Sequence, residues 1–216
     1  MNSREELLRR IRDALIELPD DERLVPMSRA HRRHPSDPSS GDRTALVDLF
    51  AERLKHYGAQ VYHLIEPDIP ETVRTVLDLY GASSVVAPQG LPGDWLRAWA
   101  AEEEHHVIDD SPFLPPGELA SADAVITTCA AAVADSGVIV LDGSAGQGRR
   151  APTLAPDCHL CVVRTEQVGS TLLEVIDRLD HRRQITWFSG PTAGVDIDAD
   201  APDRHIPRRL IVLIVD

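Results

Sequence analysis

The amino-acid sequence predicts an α/β fold: a mostly parallel, Rossmann-like sheet with helices on both faces. Three observations lead there. Helical and strand periodicities take turns from residue 43 onward, and such alternation implies right-handed crossovers between parallel strands. Gly58 and Gly81 stand where two of the helices must stop. With 43% apolar residues among 216, the chain can bury a core without disulfides or a structural metal.

Residues 3–18 place Leu7, Leu8, Ile11, Leu15 and Leu18 on one helical face, and Ser3 with Glu6 forms a capping-box pattern at its start. From residue 19 to 42 the composition shifts to Pro, Ser, Gly and charge, with Pro26, Pro35 and Pro38 interrupting every period. The expected organisation is therefore an N-terminal amphipathic helix on a flexible linker (1–42) and an α/β domain (43–216). The apolar face of that helix is left to dock on its own domain, a twin subunit or a partner. Within the domain the pattern predicts helix 43–57 closed by Gly58, strand 60–65, helix 70–80 closed by Gly81, and strand 83–87. A third helix carries Trp95, Leu96 and Trp99, residues 105–109 form a strand, and 122–127 form another after a turn around Glu118. Further strands are predicted at 138–141, 158–163, 185–188 and 210–215, with 172–179 the clear helix among them.

Charge removes several function classes. Thirty-five acids against 22 bases leave a formal charge of −13, which repels nucleic acid and anionic membranes. No apolar run approaches the ~18 to 20 residues of a membrane span. The start, Met1-Asn2-Ser3-Arg4-Glu5-Glu6, lacks the apolar stretch of a signal peptide, so a cytoplasmic location is expected. Lys55 is the single lysine, and its surroundings read as a solvated helix face, which argues against Schiff-base chemistry or a P-loop. The Arg29-Ala30-His31-Arg32-Arg33-His34 cluster reads either as a contact for an acidic partner or as solvated charge.

Four segments could carry chemistry. Gly146-Gln147-Gly148-Arg149-Arg150-Ala151 fits the dinucleotide fingerprint, but Pro152 and Pro156 leave no room for the crossover helix such a turn must open. The remaining readings are a flexible hairpin loop or an anion-binding loop in which Arg149 is the main anchor and Arg150 adds a second guanidinium. Cys158-His159-Leu160-Cys161 has ligand types for zinc, yet on a strand Cys158 and Cys161 point to opposite faces, so buried thiols and no metal are expected. His159 shares the face of Cys161 and is either a core histidine or a polar group facing a cleft. Asp135, at the entrance to strand 138–141, is either a turn former or a site carboxylate. Ser189, Gly190 and Thr192 follow strand 185–188, where open α/β sheets bind ligands. Asp135, Gly146 to Arg150, His159 and Ser189 to Thr192 are expected to converge on one cleft.

Several of these motifs, in order, resemble the LUD-domain family of the lactate utilisation protein C type. The matching stretches are Ala122-Asp123-Ala124-Val125-Ile126-Thr127, Ala134-Asp135-Ser136-Gly137-Val138-Ile139-Val140-Leu141, the Gly146 to Ala151 segment, Leu154-Ala155-Pro156-Asp157-Cys158-His159, Ser189-Gly190-Pro191-Thr192 and Asp196-Ile197. The resemblance implies a fold similar to the ribose-5-phosphate isomerase, glucosamine-6-phosphate deaminase and CoA-transferase superfamily. It also implies a role in oxidising L-lactate to pyruvate beside iron–sulfur partner proteins. The acid, guanidinium, hydroxyl and amide groups of the expected cleft suit a small carboxylate or phosphate, and three cysteines are too few to hold an iron–sulfur cluster, so no cofactor is expected. The sequence departs from the family where Asp135-Ser136-Gly137 replaces Glu-Thr-Gly and His205-Ile206-Pro207 replaces His-Gly-Pro. Two other functions stay open: acyl transfer similar to CoA-transferases with Asp135 as acceptor, and sugar-phosphate isomerisation.

Overall fold

In the computed structural model the described residues are 9–10, 13, 42–110, 113–189 and 209–216. The chain divides into two units, Met1–Ser36 and Asp37–Asp216. In the first, Arg9, Arg10 and Asp13 are helical; the rest of the predicted N-terminal helix and the linker lie outside the described residues. All that follows concerns the second unit.

Helix α1 (Arg43–His56) is opened by the Asp42 side chain, which accepts a hydrogen bond from the Ala45 amide at 3.1 Å, and it buries Leu46, Val47, Phe50, Ala51 and Leu54. It stops at Gly58, whose φ of +85° lets the Ala59 amide reach back to the Leu54 carbonyl. Strand β1 (Gln60–Leu64) follows, then α2 (Ile69–Leu79), which carries Pro70 in its first turn where no donor is missed. Gly81, at φ +62°, repeats the helix stop. Strand β2 (Ser84–Val86), helix α3 (Asp94–Arg97), strand β3 (His106–Ile108), helix α4 (Pro116–Ala120) and strand β4 (Ala124–Thr128) complete the regular part.

These strands join β7 (Cys158–Arg164) and β10 (Arg209–Val215) in a six-stranded sheet of order β1-β10-β7-β4-β2-β3, parallel throughout. Alternation along β7 and β10 divides their side chains between two cores. Cys158, Leu160, Val162, Ile211, Leu213 and Val215 pack under α2 and α3. Cys161, Val163, Leu210, Val212 and Ile214 pack under α1 and against a second sheet. Cys158 and Cys161 thus lie on opposite faces, as strand alternation requires.

The second sheet was not legible in the sequence. Strand β5 (Ala131–Val133) and β6 (Val138–Leu141) form an antiparallel hairpin, to which β9 (Thr186–Phe188) adds antiparallel and β8 (Val168–Gly169) parallel. Two predicted strands, 138–141 and 185–188, therefore leave the parallel sheet. Strands of three or four apolar residues look alike whichever sheet they join, because pairing is a long-range choice. Helix α5 (Arg150–Leu154) is only five residues long and ends before Pro156, and β7 starts at Cys158, so no long crossover helix follows the glycine loop. Pro152 sits within the first helical turn, where its missing N–H costs no intrahelical bond. Helix α6 (Leu172–Ile176) is shorter than the predicted 172–179. No helix among the described residues is long and apolar enough to cross a membrane.

Candidate functional site

In an open parallel sheet, ligands collect where neighbouring strands send their chains to opposite faces. Here that point lies between β2 and β4. The chain leaving β2 crosses the face covered by α3, whereas α4 and α5 pack on Val86 and Val125 from the other side. The glycine loop after β6 is wedged into this gap. The Gly146 amide donates to the Gln89 carbonyl at 2.9 Å, and the Gly146 carbonyl accepts from the Thr128 amide at 2.9 Å, so Gly146 bridges the two strand ends.

Side chains would not fit there. Gly146 has φ +77° and a Cβ on it would stand 3.0 Å from Thr128 Oγ1; Gly148 has φ +68° and a Cβ on it would stand 2.9 Å from Pro88 Cβ. Both glycines face protein, and what they permit is the approach of one loop to another. Gln147 is buried, and its Oε1 accepts from the Asp142 amide at 2.7 Å. Asp142 in turn accepts from the Ser144 amide and hydroxyl. The loop is therefore held by its own polar groups.

Beside this wedge opens a cavity of about 610 Å³, lined by Pro88 to Gly90, Asp109, Asp110, Phe113, Leu141 to Ala145, Gly148 to Arg150, Pro152, Thr153, Gln184 and Thr186. Its charges sort themselves by pairing. Arg149 donates from Nε and Nη2 to both oxygens of Asp110 at 2.5 and 2.8 Å, and from Nη2 to the Leu114 carbonyl at 2.8 Å. The Phe113 ring lies 4.8 Å from its guanidinium carbon. Burial pushes the Asp110 carboxyl up, but the Arg149 guanidinium and the Leu114 amide outweigh it and hold the group below the usual carboxylate range. Arg149, expected to be the main anion anchor, is thus already engaged as a strut. Arg150, exposed at the start of α5, has no ion pair among the described residues.

The other expected site residues lie elsewhere. Asp135 belongs to the turn of the β5–β6 hairpin, at the end of β6 opposite to Leu141 and the cavity, and its amide donates to the Ser170 carbonyl. Ser189 follows Phe188, which pairs with Ile139, whereas cavity-lining Thr186 pairs with Leu141. Because β9 runs antiparallel to β6, its carboxyl end points away from the cavity. Gly190 and Thr192 lie outside the described residues. His159 is fully buried: its Nε2 meets Thr127 Oγ1 at 2.8 Å, Phe188 packs edge-on at 5.2 Å, and Nδ1 has no partner. Burial lowers its pKa to about 4, so it is a neutral core imidazole.

The thiols are buried as well. Cys129 is pushed well above its ordinary value by the neighbouring Cys161 thiol and by burial, and Cys158 is pushed up to about 11 by burial. Asp109 and Asp110 were the residues missed by sequence reading, although a pair of acids directly after a strand was a usable signal.

Comparison with known proteins agrees with this architecture. The LUD domain matches residues 117–215. A protein named "Lactate utilization protein C", from Deinococcus radiodurans, is 37% identical over 183 residues, which cover 82% of this chain and 83% of that protein. A crystal structure of a DUF162 family protein from Deinococcus radiodurans superposes with a TM-score of 0.69 at 35% identity, covering 83% of this chain and 100% of the other. Identity at that level across four-fifths of both sequences, carried by the same backbone, extends well beyond the matched domain, and the chain belongs to the LUD domain family.

Proposed function

We propose that this chain is an accessory component of L-lactate utilisation, acting beside iron–sulfur partner proteins, and that its Arg150 cleft binds a small carboxylate or phosphate. The observation that carries the reading is the relative named for lactate utilisation, aligned over most of both chains. The chemistry supports a division of labour. Oxidising L-lactate to pyruvate releases two electrons and two protons, and the electrons need a carrier. Three buried thiols, of which Cys158 and Cys161 lie on opposite faces of a sheet, are a poor cradle for an iron–sulfur cluster, so the carrier belongs to a partner. The acyl-acceptor alternative is weakened by the position of Asp135 on a turn remote from the cavity.

Removing the gene from its native cell and isolating the tagged chain from native extract test the two halves. The expected results are loss of growth on L-lactate, restored by the wild-type chain but not by Arg150→Ala, and co-purification of iron-containing proteins. Unimpaired growth on L-lactate, or a chain recovered without any iron-containing partner, overturns the proposal.

A further inference from the structure

A three-carbon acid occupies a small part of a cavity of about 610 Å³, a size that suits drug-sized ligands. The cavity also does not end at its own rim. On the other side of the carboxyl ends of β2 and β3 lies a second hollow of about 620 Å³, and the two share Pro88, Gln89, Gly90 and Asp109. We infer that the two hollows form one site for a nucleotide-sized organic phosphate, its phosphate against Arg150 and its flat ring in the second hollow. The inference rests on the proposed anion-binding role of the cleft and specifies its ligand.

The lining chemistry selects this class. The first hollow holds two arginines and three aspartates, of which Arg149 and Asp110 neutralise each other and Asp142 accepts from Ser144 and faces the Arg183 guanidinium at 3.9 Å. Arg150 is the cation left over among the described lining residues, and it suits a phosphate through parallel N–H donors. Asp109 is exposed on the shared ridge without an ion pair among the described residues, where a carboxylate accepts hydrogen bonds from sugar hydroxyls. The second hollow changes character. Leu91, Pro92, Leu96 and Val107 wall it beside Arg97, which is paired with Asp94, and Val107 is 45% exposed on edge strand β3, an apolar surface that a planar ring would cover. Anion, hydroxyl acceptor and apolar wall follow one another across the sheet end in the order phosphate, sugar and base.

Binding of AMP, ribose 5-phosphate, inorganic phosphate and L-lactate to the full chain, by titration calorimetry, reads the site compartment by compartment. AMP is expected to bind at least tenfold tighter than ribose 5-phosphate, the gain from covering roughly 60 Å² or more of apolar surface. Arg150→Ala should weaken AMP, ribose 5-phosphate and inorganic phosphate alike. Val107→Glu should weaken AMP about tenfold and leave ribose 5-phosphate unchanged. AMP and ribose 5-phosphate of equal affinity in the unmodified chain overturn the two-hollow site and leave the anion cleft standing, a result that does not depend on whether any variant folds. No binding of any of the four anions removes the cleft reading and this inference together.

Discussion

Adjacent arginines have separate duties here, and stability measurements should tell them apart. Arg149 closes a bidentate pair with partly buried Asp110 and also donates to the Leu114 carbonyl, so Arg149→Ala strands an acid and a carbonyl. The expected loss is about 1–3 kcal/mol by denaturant unfolding, and Arg149→Lys recovers little of it because an ammonium cannot form the two-pronged pair. Arg150→Ala should stay within about 0.5 kcal/mol of the wild type. Equal losses at both positions would mean that the strut assignment is wrong. His159 makes the second prediction at this scale. Its folded-state pKa of about 4 lies below the unfolded value near 6.5, so the unfolded chain binds the extra proton between those limits. Stability is therefore present in full above about pH 6.5 and falls as pH drops toward 4, by on the order of 3 kcal/mol in all. Melting curves from pH 7 to 5 should show this slope in the wild type and a shallower one in His159→Leu, which also loses the bond to Thr127. Parallel slopes would remove His159 as the cause.

At the scale of elements, the wedge between β2 and β4 depends on glycines more than on side chains. Gly148→Ala forces a left-handed backbone on alanine and sets its Cβ 2.9 Å from Pro88, with an expected cost of about 1–2 kcal/mol, or a fall of several degrees in Tm. Gly93→Ala is the control, since Gly93 has φ −64° and no atom within 4 Å of the added carbon. A Gly148→Ala chain as stable as Gly93→Ala would show that the loop can withdraw from Pro88 freely. The helix stops at Gly58 and Gly81 were legible because a left-handed stop is a local demand. The purpose of Gly146 and Gly148 was not, because both the dinucleotide and the anion-loop readings predict the same residues. What distinguishes them is the neighbour each Cα faces, Thr128 and Pro88, which are remote in sequence.

For the whole molecule, the buried apolar residues among those described run from Leu46 to Val215, and the two large cores share the parallel sheet. A chain beginning at Asp42 should therefore stay soluble and unfold in one cooperative transition within a few degrees of the full chain, as calorimetry can check. An insoluble or non-cooperative product would make the first 41 residues part of the folding unit. The two-sheet arrangement also explains why part of the expected site dispersed. Asp135 precedes β6 and Ser189 follows β9, so within one parallel sheet they would lie at opposite edges. The antiparallel pairing of β6 with β9 instead puts both at the end of the second sheet that faces away from the cavity.

By itself the sequence determined the alternation of helices and strands, their stops, the opposite faces of Cys158 and Cys161, and the resemblance to the family. Each follows from periodicity, local backbone geometry or the order of motifs, which are written within a few residues of one another. Tertiary structure decided which strands form the second sheet, that Asp110 engages Arg149 and leaves Arg150 open, that His159 is a core group, and that two hollows meet across Pro88 to Gly90. Apart from the local β5–β6 hairpin, those outcomes rest on contacts remote in sequence, such as Asp110 with Arg149 and Thr127 with His159, and the energy of such contacts depends on which partners folding brings together.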